Sequence, residues 1–500
     1  PSWCSQQINA FDSALDLYDK ELLPLMEIFG KDRFFLELQF NKLPQQKIVN
    51  QHLIEYSKRT GYNLIATADC HYPDPQMFRD REIYRLLGFQ MKKENIDLSI
   101  LEKKREDLEC ELYLKNGDQM FEAYKETFSD VFPDQQLIID AIQRTHDIAH
   151  NMVGQVAPDD RIKLPKTFQI TENIKTAFDK LSELVFEGLK KKNITSQEYV
   201  DRANFELDVI KKIKVEEYFL TMKEILDTLK KHMLVGPARG SGAGSLVNYL
   251  LGITLLDPIK HGLLFERFLS PSRAELPDID SDVESKDEAF EILKNHFGED
   301  SVLAISNYNR LTLKALIKDL SKLYGIPFQE VNSVTKVAEN EARPQIMNDC
   351  GNDQKLYEFT FEKAKVYSPT FNDFLQKYPT LGESVENLFK EVKAVSKHAG
   401  GILVVPDAES CLPIIKIRNI NQSPITEGIT AQYLKHFGLV KFDILGLGTL
   451  RIIRRCIEII LKKNGQEVNI ENVWEFYNTF LHPDVIDANH LSEFNQVEGI

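Results

Sequence analysis

Three aspartates, Asp278, Asp280 and Asp282, stand at every second position of the stretch AELPDIDSDVES, residues 274–285. On an extended strand all three carboxylates point to one face, where like charges repel and raise one another's pKa. One chemistry makes use of such crowding. Magnesium takes hard oxygen ligands, commonly one or two carboxylates together with substrate phosphates. Two such ions about 4 Å apart clamp the attacking and leaving oxygens of a phosphoryl transfer. Carboxylates at i and i+2 of a strand start about 6–7 Å apart and can converge on shared metals, which relieve the repulsion. The same spacing also suits a polar strand edge or an Asx-rich turn after Pro277.

Other residues carry compatible chemistry. VGPARGSGAGSLVNYLLGI (235–253) places Gly236, Gly240, Gly242 and Gly244 just before an apolar helical run from about Leu246. A glycine-rich turn at a helix start offers backbone N–H groups and a favourable dipole to an anion. Ser241 and Ser245 add hydroxyls, and the lysine of a Walker A loop is absent. A flexible turn with a serine N-cap is the plainer alternative. HGLLFERFLSPSR (261–273) supplies Arg267 and Arg273, either a phosphate clamp or part of an amphipathic surface. In GLVKFDILGLGTL (438–450), Asp443 interrupts an apolar strand, where an unpaired carboxylate is costly. Lys441 shares its face, so the two form a structural pair or part of a site. His398, before a Gly-Gly turn, either touches a phosphate or hydrogen-bonds within the fold. Lys314, Lys318 and Lys322 form a basic stripe opposite Leu313, Leu316, Ile317 and Leu320, either a solvated face or a phosphate track. Asp69 and His71 are possible metal ligands at a strand end, without an HxH pair upstream.

These residues need elements to position them. DRFFLELQF (32–40) reads as a strand, 45–61 as a helix ended by Gly61, and NLIATADCHY (63–72) as a buried strand, a β-α-β order. Residues 85–150 read as charged and helical, 156–166 as a linker or strand edge, and 170–232 as helical. Residues 233–310 mix loops, helices and strands, 311–396 read as mainly helical, and 397–445 return to strand. From 449 the chain reads as helix and then loop. The 500 residues predict several domains with a sizeable core. A net charge of −15 disfavours a non-specific nucleic-acid binder but leaves room for a local basic groove. Six scattered cysteines without a CxxC pair argue against a disulfide framework or a cysteine zinc site and favour the cytoplasm. No run of about 18 apolar residues marks a membrane span, and the N-terminal residues lack a secretory signal pattern.

GPARGSGAGSLV, LLFERFLSPSR, LPDIDSDV, SKHAGGILVVP and GLVKFDILGLGTL occur in one order between residues 236 and 450. Together they closely resemble the bacterial C-family replicative DNA polymerases, the DNA polymerase III alpha subunits. The resemblance implies an α/β and α+β multidomain protein. A partial PHP (polymerase and histidinol phosphatase) domain would cover 1–150, and a palm similar to the polymerase-beta nucleotidyltransferase fold 151–307 and 398–448. A helical thumb would cover 308–397, and the fingers would begin at 449–500. It puts catalytic, magnesium-binding carboxylates at Asp278, Asp280 and Asp443, with Asp282 outside that set. It puts nucleotide contacts at Gly240, Ser241, Arg267 and Lys441, DNA contacts at Lys314, Lys318, Lys322 and His398, and a residual PHP metal set at Asp69 and His71. Two Mg2+ ions, dNTP and primer–template DNA are the implied cofactor and partners, with a sliding clamp and a proofreading exonuclease met through a complete chain. Ala238 replaces a usual glycine and Val283 a common aromatic, neither touching the metal chemistry. The upstream PHP histidines and most of the fingers are not in the sequence, so a fragment or one half of a split polymerase is expected. A non-catalytic DNA- or partner-binding fragment and a PHP-type metal phosphoesterase are the alternatives.

Overall fold

A computed structural model describes residues 16, 18–91, 111–154, 159–270, 277–351, 353–407, 415–419 and 422–486. Arg273, Cys4, Cys110, Cys411 and parts of the expected helical, linker and terminal segments (92–110, 155–158, 487–500) lie outside the described residues. The chain divides into two units, Pro1–Val156 with Arg310–Lys393, and Ala157–Asn309 with Ala394–Ile500. Among the described residues no helix is long and apolar enough to cross a membrane.

The first unit contains the expected β-α-β order. Strand β1 (Phe35–Leu38) pairs in parallel with β2 (Asn63–Ala66), and the helix Pro44–Thr60 connects them. Both strands are shorter than their hydrophobic runs, because each has a single partner strand and the shared register ends at Leu38 and Ala66. Leu36, Leu38, Leu64 and Ala66 are buried in a cluster with Ile54, Tyr56, Tyr124 and Ile138. The remainder of the unit is helical. Leu313, Leu316, Ile317 and Leu320 recur at helical spacing along Leu313–Leu323 and are all buried. They share a core with Val331, Phe371, Leu381 and Val385 from the following helices, and with Ile83, Leu86 and Leu87 of the helix Phe78–Met91. Helix gives way to strand at Val392, before the change expected at 397.

The second unit holds the chemistry. Its strands are β3 (Asp280–Val283), β4 (Val302–Arg310), β5 (Val392–Val404), β6 (Ile415–Asn419), β7 (Gln422–Thr430) and β8 (Lys441–Gly446). They form one mixed sheet in the order β3-β8-β5-β4-β7-β6. Ile279, Val283, Ile402, Val404, Phe442 and Ile444 share a core with Leu181, Leu207, Phe219 and Leu293 of the helices Ala177–Lys191, Gln197–Ile213, Glu216–Lys230 and Lys286–Phe297. Leu303, Ile305, Leu403 and Val405 bury instead against Leu434 and Leu439. The fold is therefore mixed, with helices layered on a sheet whose apolar positions in β3, β8, the start of β4 and the end of β5 are buried. Its β3–β8 edge combines apolar positions for the core with acidic positions facing away from it.

One close approach locks the helical layer. Gly188 lies against the backbone of the helix Leu246–Leu250, and a Cβ there would stand 2.3 Å from the Leu250 carbonyl oxygen. Gly188→Ala should therefore lower the urea denaturation midpoint, since overpacking costs about 1–3 kcal/mol. An unchanged midpoint would show that the two helices separate freely.

Candidate active site

Parallel pairing of β3 with β8 sets Asp280 directly opposite Asp443. On the other side of β8, antiparallel β5 sets Gly401 opposite Asp443. Asp280 and Asp282 are half-buried, while Ser281 and Val283 between and beyond them are buried. Asp278 departs from the expected row, because β3 begins only at Asp280. Two features keep the strand from starting earlier. Pro277 has no N–H for a ladder, and the Ile279 N–H donates to the Tyr218 hydroxyl at 2.9 Å. The Asp278 side chain nevertheless shares the Lys441 ammonium with Asp443. Tyr218 is buried, and its ring stacks on Phe442 with centroids 5.2 Å apart and planes 8° apart. One tyrosine thus ties the segment before β3 to the residue between Lys441 and Asp443.

Two cations hold this acidic cluster. Lys441 Nζ lies 2.6 Å from Asp443 Oδ2 and 3.9 Å from Asp278 Oδ1. Burial alone would lower the Lys441 pKa, but Asp443, Asp278 and Asp280 outweigh it and raise the value above that of an ordinary lysine. The ammonium therefore stays charged. Desolvation raises the Asp278 carboxyl; Lys441 opposes the rise, while Asp443 and Asp280 add to it. Burial likewise raises Asp282, against the pull of Arg239. Arg239 is the second cation, its Nη2 2.5 Å from Asp280 Oδ1 and its Nε 3.5 Å from Asp282 Oδ1. Sequence reading passed over Arg239, although it stands inside the glycine-rich motif. Nothing local in the sequence ties it to Asp280, 41 residues downstream.

The glycine-rich segment is stapled at both ends. Val235 bridges Val283, the Gly236 N–H donates to the Asp282 carbonyl at 2.8 Å, and the Leu234 N–H donates to the buried Glu284 carboxylate. Between them Gly240 has φ 67°, and a Cβ there would stand 2.7 Å from Asp280 Oδ2. Only glycine meets both conditions. Gly240 and Ser241 form an exposed tip. The helix start at Leu246 differs from expectation. Its N–H groups do not await an external anion, because the buried Glu206 carboxylate accepts from Leu246 N at 3.0 Å, Val247 N at 3.0 Å and the Ser245 hydroxyl at 2.8 Å. Arg202 Nε donates to the same carboxylate at 2.7 Å. The dipole already has an internal anion. A glutamate among Ala203, Leu207 and Ile210 on the buried helix face was the available sequence signal. Arg267 is exposed on the turn Phe265–Arg267 and makes no ion pair among the described residues.

The other expected residues lie as follows. His398 Nδ1 accepts from the Gly401 N–H at 2.8 Å, so its neutral form carries the proton on Nε2. Lys286 donates to the His398 carbonyl. The lysine stripe is mostly partnered within the first unit: Lys314 pairs with Glu339, Lys318 donates to Asn332 at 2.9 Å, and Lys322 stands 3.8 Å from Asp319. Asp69 and His71 lie beyond the end of β2, with Oδ2 and Nε2 3.2 Å apart. Among the described residues no group of three or more His, Cys, Asp or Glu is gathered in metal-holding geometry.

Burial pushes the His398 imidazole below its ordinary value of 6.5; the attraction of Asp443 is too weak to reverse this. The unfolded chain then binds the proton more readily than the folded one. Stability from this residue is present above 6.5 and is lost as pH falls through the lower folded value. His398→Asn should flatten that acid-side decline in the denaturation midpoint. An unaltered pH profile would show that His398 titrates as it does in the unfolded chain.

A family model described as "Bacterial DNA polymerase III alpha NTPase domain" matches residues 179–446, a span that includes β3 and β8. Proteins named DNA polymerase III subunit alpha are similar along most of the chain. The one from Borreliella burgdorferi is 32% identical over 471 residues, covering 93% of this chain and 38% of its own length. The Aquifex aeolicus protein is 30% identical, covering 89% of this chain and 39% of its own length. The Treponema pallidum protein is 31% identical, covering 94% and 37%. The chain thus spans less than two fifths of the length of these relatives. With the matched region enclosing both carboxylate-bearing strands, the chain belongs to the bacterial DNA polymerase III alpha family.

Proposed function

We propose that this chain carries the nucleotidyl-transfer centre of a template-directed DNA polymerase, joining a dNTP to a primer 3′-hydroxyl. The observation that carries the reading is the register of Asp280 against Asp443, with Lys441 drawn to both Asp443 and Asp278. These three carboxylates supply the hard oxygens that magnesium takes, and would have to draw together from their present positions to hold it. Asp278, Asp280 and Asp443 would hold two Mg2+ ions, whose chemistry is to lower the pKa of the primer hydroxyl and offset charge on the leaving pyrophosphate.

The chain's own residues do the positioning. Lys441 stays cationic beside the carboxylates and offers its charge to triphosphate oxygens. Arg267 presents a forked donor from an exposed turn. Gly240 and Ser241 present the loop tip, which cannot recede because its two ends are stapled. Tyr218 keeps Ile279 and Phe442, and with them the flanking aspartates, in a constant relation. In this reading 151–307 and 398–448 are palm, 308–397 thumb, 1–150 PHP-like and 449–500 the start of the fingers. Lys314, Lys318, Lys322 and His398 would meet primer–template DNA, the lysines exchanging their present partners for phosphate. A sliding clamp and an exonuclease would be met through the greater length its relatives possess. The cytoplasm is the matching compartment, and Cys70, Cys350 and Cys456 are free thiols.

Asp280→Asn, in a polymerase containing this chain, should abolish primer extension while leaving the denaturation midpoint near that of the parent. Near-normal extension would sink the assignment. Extension by the chain alone, against none, separates a self-sufficient catalytic piece from one that only binds DNA.

A further inference from the structure

We propose that Arg239 is an exchangeable counter-ion, handed from Asp280 to the triphosphate when metal binds, and that Asp282 is the residue that positions it. The inference rests on the nucleotidyl-transfer reading of the same site. Each of the two opposed carboxylates has its own cation, Lys441 on Asp443 and Arg239 on Asp280. Lys441 is also drawn towards Asp278. Arg239 is held less completely. Its Nη2 makes one short contact with Asp280, while its buried Nε has no hydrogen-bond partner and stops 3.5 Å short of Asp282. A guanidinium with one strong bond and one orphaned buried donor is not in its best geometry. Releasing Asp280 would let Nε close on Asp282 and satisfy that donor.

The surroundings set the direction of the exchange. The Arg239 side chain is 39% exposed, so its fork can meet a solvent-borne anion without unpacking the core. Gly240 and Ser241 follow it directly at the exposed tip, and Gly240 is pressed against Asp280. A divalent cation on Asp280 would repel the guanidinium and take the oxygen it holds. Asp282, whose side chain is only 18% exposed, would remain as its tether. Planar forked donors suit phosphate oxygens. The third aspartate of the motif then has a task distinct from metal binding: it keeps Arg239 beside the nucleotide rather than on the metal ligand.

The test titrates this chain with Mn2+ alone, and then with a non-hydrolysable α,β-imido dNTP in the presence of Mn2+. Arg239→Gln should bind Mn2+ about tenfold more tightly and the nucleotide about tenfold more weakly, the scale of one charge-assisted hydrogen bond. Asp282→Asn should weaken nucleotide binding to a similar degree without weakening Mn2+ binding. Arg239→Lys, which keeps the charge and loses the fork, should also bind the nucleotide more weakly, and serves if the Gln variant does not fold. Unchanged or weaker Mn2+ binding by Arg239→Gln would overturn the exchange. Loss of Mn2+ binding by Asp282→Asn, equal to the loss in Asp280→Asn, would make Asp282 a ligand and overturn its positioning role. Asp280→Asn is the control for the parent reading: full Mn2+ binding by that variant would remove the metal site itself.

Discussion

Crowding of Asp278, Asp280 and Asp443 beside Lys441 and Arg239 is the electrostatic feature that the apolar side of the second unit's strands holds in place. Carboxylates within hydrogen-bonding reach drive one another apart unless the backbone denies them the room. Here the denial comes from the apolar side of the same strands. Ile279, Val283, Phe442 and Ile444 are buried in one core, and each would have to leave it for the acids to separate. Tyr218 adds a direct tie through its hydroxyl and its ring. Hydrophobic burial thus holds the three acids and their two cations in one arrangement.

The glycine-rich segment shows the same division of labour. Its conformational freedom is confined to the tip. At one end Glu284 and Asp282 accept backbone N–H groups, and at the other Glu206 gathers two N–H groups, a hydroxyl and a guanidinium. Glu284 is held in turn by Arg454 at 3.2 Å. Buried carboxylates that are fully hydrogen-bonded define one loop geometry, whereas unpaired ones would destabilise it. The loop is therefore better described as a rigid cradle than as a flexible flap.

Much of this was legible in the sequence where the relevant information is local. Period 3.6 predicted the buried face of Leu313–Leu323, and period 2 put Lys441 and Asp443 on one face, where they form an ion pair. The β-α-β order near residues 35–66 followed from alternating patterns and a terminal glycine. What escaped was interaction between distant segments. Spacing could not show that Tyr218 would take the Ile279 N–H and so exclude Asp278 from the strand. Nor could it show that Glu206 would fill the helix start that a phosphate was expected to reach, or that Glu339 and Asn332 would engage the lysine stripe. Periodicity reports which face a residue occupies; it says nothing of who waits on that face. The family resemblance reached further than spacing, to a family that the matched region shows, because ordered motifs encode long-range partnership.

The register of β3 with β8 joins residues roughly 160 positions apart in the chain, a contact of high sequence separation. The intervening polypeptide includes Arg310–Lys393, which belongs to the other unit. During synthesis, then, the aspartates near 280 leave the ribosome well before their partner strand exists. Until β8 arrives, β3 has no neighbour in the sheet and its acids have no Lys441. A chain that ended between residues 393 and 441 would contain every residue of the first unit but would lack β8 and Asp443. In a chain made from its N-terminus, the carboxylate cluster cannot be complete before β8 has been synthesised.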